Sequence, residues 1–110
     1  MKRKVKSEKI QALKTVFLNE GMKKTPALKL ARRNVRLEEK LANGTATFTY
    51  VKSDGSVRVA VGTNKPTIVP NYYTFVGSSR QNTDSLRYFD LEKAAFRCFS
   101  KRNLVSIAAA

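Results

Sequence analysis

Apolar residues recur at helical intervals over the first forty positions and alternate from residue 45 onward. Ile10, Leu13, Val16 and Phe17, with Ala12 on the same side, are spaced for one face of a helix, and Gly21 follows as a C-cap. The spacing predicts a helix over residues 8–20 behind Ser7 as N-cap, with residues 1–6 left as a basic tail expected to be disordered until bound. A second start falls at Thr25 and Pro26, a capping hydroxyl before a proline whose missing N–H does no harm in a first turn. Advancing about 100° per residue from Leu28 gathers Lys29, Arg32, Arg33, Arg36 and Lys40 within one arc. Leu28, Ala31, Val35 and Ala42 flank that arc on one side, and Leu30, Leu37 and Leu41 on the other. Asn43 and Gly44 end this helix, so residues 7–44 read as a two-helix arm with a basic ridge.

Beyond Gly44 the period becomes two. Ala46, Phe48 and Tyr50 alternate with Thr45, Thr47 and Thr49, and a second strand, Val57 to Val61, follows the turn Ser53-Asp54-Gly55-Ser56. With Asp54 and Gly55 as a two-residue turn, the ladder pairs Tyr50 with Val59 and Phe48 with Val61, which puts the valines on the buried face. Residues 62–85 carry Pro66, Pro70 and a polar Gly-Ser stretch, and read as a long connection with room for an extra strand or an ordered flap. A second hairpin follows: Leu86 and Tyr88 alternate with Arg87 and Phe89, then Phe96 and Cys98 with Arg97 and Phe99. A short strand over residues 103–107 closes the pattern, with residues 45–107 forming a small closed barrel whose outer face is partly covered. Helices first and strands after make the fold class α+β.

Charge changes this picture. The chain has 22 Lys and Arg against 8 Asp and Glu in 110 residues, a net charge of +14. Residues 1–44 carry 13 basic and 4 acidic side chains, +9, and residues 45–110 carry 9 and 4, +5. Such an excess calls for an anionic partner, nucleic acid before an anionic membrane or an acidic protein. No window has the apolar length of a membrane span, and the basic start has no apolar run behind it. A soluble chain in the cytoplasm is expected. Cys98 has no second cysteine to pair with and is expected to sit half-buried in its strand.

Chemistry for catalysis is sparse. There is no histidine, no nucleophile elbow, no phosphate-cradling glycine loop and no metal-ligand cluster, so no enzyme activity, cofactor or metal is expected.

The segments LANGTATFTYVKSDGSVRVAVGT, NKPTIVP and RYFDLEKAAFRCFSKRNLVSI resemble the WYL-like small-protein family of Sm-like SH3 β-barrels, found in gut bacteria and their phages. Asp54, Gly55, Val57 and Arg58 match the family's first hairpin, and Tyr88, Phe89, Asp90, Glu92, Lys93, Arg97 and Phe99 match its second. Phe96 stands where tryptophan is usual, and Ala94 and Ala95 stand where glycine or another small residue is usual. The resemblance implies an SH3-like barrel, a phage setting, and kinship with domains of bacterial regulators thought to sense ligands or nucleic acid. It does not specify an activity, because such barrels serve many ends.

The expected function is nucleic-acid binding through phosphates, with DNA favoured over RNA, in transcription regulation or phage and host DNA handling. The candidate contacts are Lys29, Arg32, Arg33, Arg36 and Lys40 on the ridge, Arg58, Arg87 and Arg97 on the barrel, and Lys101 and Arg102 after it. Arg58, Arg87 and Arg97 have two readings: a cationic patch framed by Tyr50 and Tyr88, or cross-strand pairing with Asp90, Glu92 or a carbonyl. Tyr72, Tyr73 and Phe75 could stack on unpaired bases or cover the barrel core. The alternative function is a structural or interaction protein, a phage accessory or virion component, docking on an acidic protein surface. Oligomerisation is left open by the sequence.

Overall fold

The structure, a computed structural model, describes residues 2–69 and 84–108. Helix α1 (Lys2–Asn19) packs on helix α2 (Lys24–Asn43), and five strands follow. These are β1 (Thr45–Val51), β2 (Val57–Thr63), β3 (Ser85–Asp90), β4 (Ala95–Ser100) and β5 (Leu104–Ile107), the last preceded by a 3-10 turn over Lys101–Asn103. No helix among the described residues is long and apolar enough to cross a membrane.

Helix α1 begins at Lys2 instead of after Ser7, so the segment expected as an unstructured tail is drawn into its first turns. Adding residues to an existing helix costs little, and Lys and Arg are good helix formers with no Gly or Pro among them here. Its end follows expectation. Gly21 takes φ +94°, its N–H donates to the Leu18 carbonyl at 3.0 Å, and the Met22 N–H donates to the Phe17 carbonyl at 3.0 Å, the Schellman pattern. Helix α2 starts two residues before Pro26. Lys23 is the extended N-cap and the first helical bond runs from the Ala27 N–H to the Lys23 carbonyl at 2.9 Å, so Thr25 does not cap. Pro26 still lies in the first turn, where an absent N–H leaves nothing unpaired.

The sheet order is β4-β3-β2-β1-β5, antiparallel throughout. Phe99 of β4 stacks on Tyr50 of β1 with ring centroids 4.5 Å apart. In a flat sheet those strands, three spacings apart, would be separated by about 14 Å, so the sheet is strongly curled. Among the described strands it does not close as expected: β4 and β5 are its two edges. Strand β5 has four residues, and its ladder with β1 shifts register between Thr49 and Tyr50.

The first hairpin differs from expectation by one residue. Tyr50 pairs with Arg58 and Phe48 with Ala60, not with Val59 and Val61. The loop has three residues, Ser53 to Gly55. Gly55 has φ +89°, its N–H donates to the Lys52 carbonyl at 2.9 Å, and the Lys52 N–H donates to the Ser56 carbonyl at 2.8 Å. A turn followed by a left-handed glycine is the usual three-residue solution. Asp54 stabilises it by accepting from the Ser56 N–H and hydroxyl at 2.9 and 2.6 Å. Because strands have a period of two, this slip turns every side chain of β2 over. Arg58, Ala60 and Gly62 share a face with Tyr50 and Phe48, while Val57 and Val59 are exposed.

The core lies between α2 and the concave face of the sheet. Ala27, Leu30, Ala31, Leu37 and Leu41 of α2 meet Phe48, Tyr50, Leu86, Tyr88, Phe99 and Leu104 of the strands, and Leu13 and Phe17 of α1 join them. At the end of α2, the Asn64 N–H donates to the Leu41 carbonyl at 2.8 Å and Thr63 Oγ1 donates to the Gly44 carbonyl at 2.5 Å. Carbonyls that a helix end leaves open are thereby tied to the end of β2. On the other side, buried Asn34 donates from Nδ2 to the Lys101 carbonyl at 2.9 Å, joining α2 to the 3-10 turn. Cys98, expected half-buried, is exposed on the convex side of edge strand β4.

Candidate nucleic-acid interface

The buried residues of α2 leave one stripe of it in solvent, and the five ridge cations occupy that stripe. Lys29, Arg32 and Arg36 are exposed, and Arg33 and Lys40 are half-buried at its margin. From Lys29 to Lys40 the ridge runs about 16 Å along the axis at 1.5 Å per residue. Both carboxylates of α2 are paired: Glu39, at the edge of the ridge by helical projection, pairs with Lys6 of α1 at 2.9 Å, and Glu38 pairs with Lys101 at 3.2 Å. Among the described residues, no ion pair involves Lys29, Arg32, Arg33, Arg36 or Lys40. Five like charges on one helix face repel one another at a few tenths of a kcal/mol per neighbouring pair, a cost that an anion would relieve.

Arg58, Arg87 and Arg97 do not form one patch. The register sets Arg58 and Arg97 on the side of Tyr88 and Asp90, and Arg87 on the opposite side, across from Cys98. Asp90 is completely buried. It accepts from the Glu92 and Lys93 N–H groups at 2.9 and 3.0 Å through one oxygen, and from Arg58 through the other, with Arg97 Nε at 3.7 Å. Burial pushes the Asp90 carboxyl up, but the Lys93 N–H, the Arg58 guanidinium and the Glu92 N–H together outweigh it and hold it below the ordinary carboxylate value. Asp90 and the Tyr88 oxygen in turn hold the Arg58 proton more firmly than usual.

Tyr50 and Tyr88, expected as the frame of a surface patch, are core residues joined hydroxyl to hydroxyl at 2.7 Å. Burial and that bond push the Tyr88 phenol well up. Arg58 is therefore consumed in cross-strand pairing: a buried carboxylate needs a cation, and the guanidinium beneath the tyrosines supplies it. Arg97 keeps much of its side chain in solvent beside the same carboxylate.

Lys101 is mostly buried against Glu38, whereas Arg102 is exposed, 4.0 Å from Glu20. Tyr72, Tyr73 and Phe75 lie outside the described residues. Lys65 was missed by the sequence reading because it falls in no periodic element. It follows Asn64 at the end of α2, half-buried and in no ion pair among the described residues. Among those residues, no group of three or more carboxylates and thiols is placed to hold a metal ion.

A family model described as WYL_2, Sm-like SH3 beta-barrel fold, matches residues 34–105. The uncharacterized 11.5 kDa protein of the Gp31-cd intergenic region of Enterobacteria phage T4 is 34% identical over 89 residues, covering 78% of this chain and 86% of that protein. No solved structure matches.

Proposed function

Given that the chain belongs to the WYL_2 family of Sm-like SH3 β-barrels, which carries no activity by fold alone, we propose that it binds nucleic acid through the ridge of α2. The observation that supports this is the set of five cations on one solvent-facing helix stripe, with both acids of that helix paired to cations outside it. Binding is phosphate-dominated and weakly selective for sequence, with duplex DNA preferred over RNA and a role in transcription regulation or phage DNA handling inside the bacterial cell. The protein acts as a binding module without catalysis.

Fluorescence anisotropy on a labelled DNA duplex over a salt series tests this. Five phosphate contacts give a slope of log K against log salt of about −4 to −5. Replacing Arg32, Arg33 and Arg36 together by Glu should abolish binding while circular dichroism shows the fold intact; unchanged affinity would reject the site. The second reading, a phage accessory or virion protein that docks on an acidic protein, draws support from Val57, Val59 and Val105, which are exposed on the strands. No binding to DNA or RNA at about 50 mM salt would favour it.

A further inference from the structure

We infer that the phosphate track does not end with α2 but continues across the α2–β2 junction to Lys65, so that the ligand is an extended polyanion rather than a single phosphate group. This rests on the proposed ridge. The Asn64 N–H bonds the Leu41 carbonyl at 2.8 Å, which places the Lys65 backbone one residue from the helical turn that carries Lys40. The position is held from several sides. The Lys65 N–H donates to Thr63 Oγ1 at 3.1 Å, and the Lys65 carbonyl accepts from the Ile68 and Val69 N–H groups at 2.9 and 3.0 Å. Asn64 Nδ2 donates to the Arg87 carbonyl of β3 at 2.6 Å. The backbone beneath the Lys65 ammonium is thus ordered before any ligand arrives, which lowers the entropic cost of using it.

No carboxylate among the described residues neutralises Lys65, and Glu38, Glu39 and Asp90 already have cations of their own. A lysine suits this place as a point charge that meets a phosphate without demanding the two-pronged geometry of arginine. A row of charges about 16 Å long on α2, with a further lysine anchored beside the last turn of that helix, matches repeated phosphodiesters along a backbone. One inorganic phosphate could engage only one or two members of such a row.

The test is anisotropy with a mixed-sequence DNA duplex across a salt series, for the intact protein and for Lys65→Ala and Lys65→Glu. Both variants keep the backbone bonds described above, and circular dichroism checks that they fold. Lys65→Ala should reduce the salt slope by about one and weaken binding to unrelated duplexes alike. Lys65→Glu should weaken it further, and inorganic phosphate at matched ionic strength should not displace the duplex. Wild-type affinity and slope in both variants, while the Arg32/Arg33/Arg36 reversal abolishes binding, would overturn the extension and leave the ridge standing. Displacement by inorganic phosphate would also overturn it, since that points to a single-phosphate site. A wild-type protein that binds no duplex at low salt would remove both.

Discussion

Gly62 of β2 allows a sharp prediction about the core. A methyl group there would lie 2.6 Å from Tyr88 Cδ2, 3.3 Å from Tyr88 Cγ and 3.2 Å from the Phe89 carbonyl oxygen. The Tyr88 ring cannot yield cheaply. It is fully buried, meets Phe48 edge-on at 4.9 Å, and its hydroxyl bonds Tyr50 at 2.7 Å. Two effects oppose each other in Gly62→Ala. Restricting the unfolded chain stabilises by about 0.4–1 kcal/mol, since the Gly62 backbone is not in the left-handed region. Overpacking costs about 1–3 kcal/mol, and displacing the tyrosine pair forfeits a buried hydrogen bond of about 1 kcal/mol. The clash wins by roughly 1.5–3 kcal/mol, which for a domain of this size lowers Tm by about 10 °C.

Thermal melting followed by far-UV circular dichroism reads the shift, and the near-UV tyrosine signal reports whether the ring has moved. Gly44→Ala is the control: its φ is 171°, and a methyl there meets nothing within 4 Å, so its Tm should equal wild type or exceed it slightly. If Gly62→Ala melts at or above wild type with a native near-UV spectrum, the reasoning about Tyr88 is refuted.

Three further predictions follow from the hairpins. Asp90→Asn keeps the shape of the turn acceptor but strands the Arg58 charge, and should cost about 3 kcal/mol in urea denaturation. Asp90 has a folded pKa below the ordinary 3.8, so its contribution is complete above that value and disappears as pH falls through the lower one. The wild-type urea midpoint should therefore fall below about pH 4 more steeply than that of Asp90→Asn, and parallel curves would contradict this. Ala94 holds φ 51°, a left-handed conformation that disfavours a Cβ, so Ala94→Gly should raise stability by about 0.5–1 kcal/mol, measured as an increase in Tm.

Much of this molecule was legible because its signals are local. The apolar spacing of α2 and its cationic arc depend only on the helical repeat, and the buried residues Leu30, Ala31, Val35, Leu37 and Leu41 lie away from Arg32 and Arg36 as that repeat requires. Gly21 and Gly55 also act where the sequence placed them, each with positive φ. The register of the first hairpin was not legible. Asp54 and Gly55 suit a two-residue loop and a three-residue loop equally, because each needs a left-handed glycine.

Hydrophobicity then favoured the wrong face of β2, since Val57, Val59 and Val61 outrank Arg58, Ala60 and Gly62 as core residues. Tertiary packing reversed that choice. The space under Phe48 and Tyr88 admits only small side chains, Ala60 and Gly62, and buried Asp90 on β3 requires the Arg58 cation. The two helices, the five strands among the described residues and the basic stripe were thus legible in the sequence, through periodicities spanning a few residues. Which cations are spent inside the protein and which stay in solvent was decided by partners far along the chain, as in Arg58 with Asp90, 32 residues away, and Lys101 with Glu38, 63 residues away. Contacts at that separation leave no mark on local pattern, because they exist only once the sheet has curled onto α2.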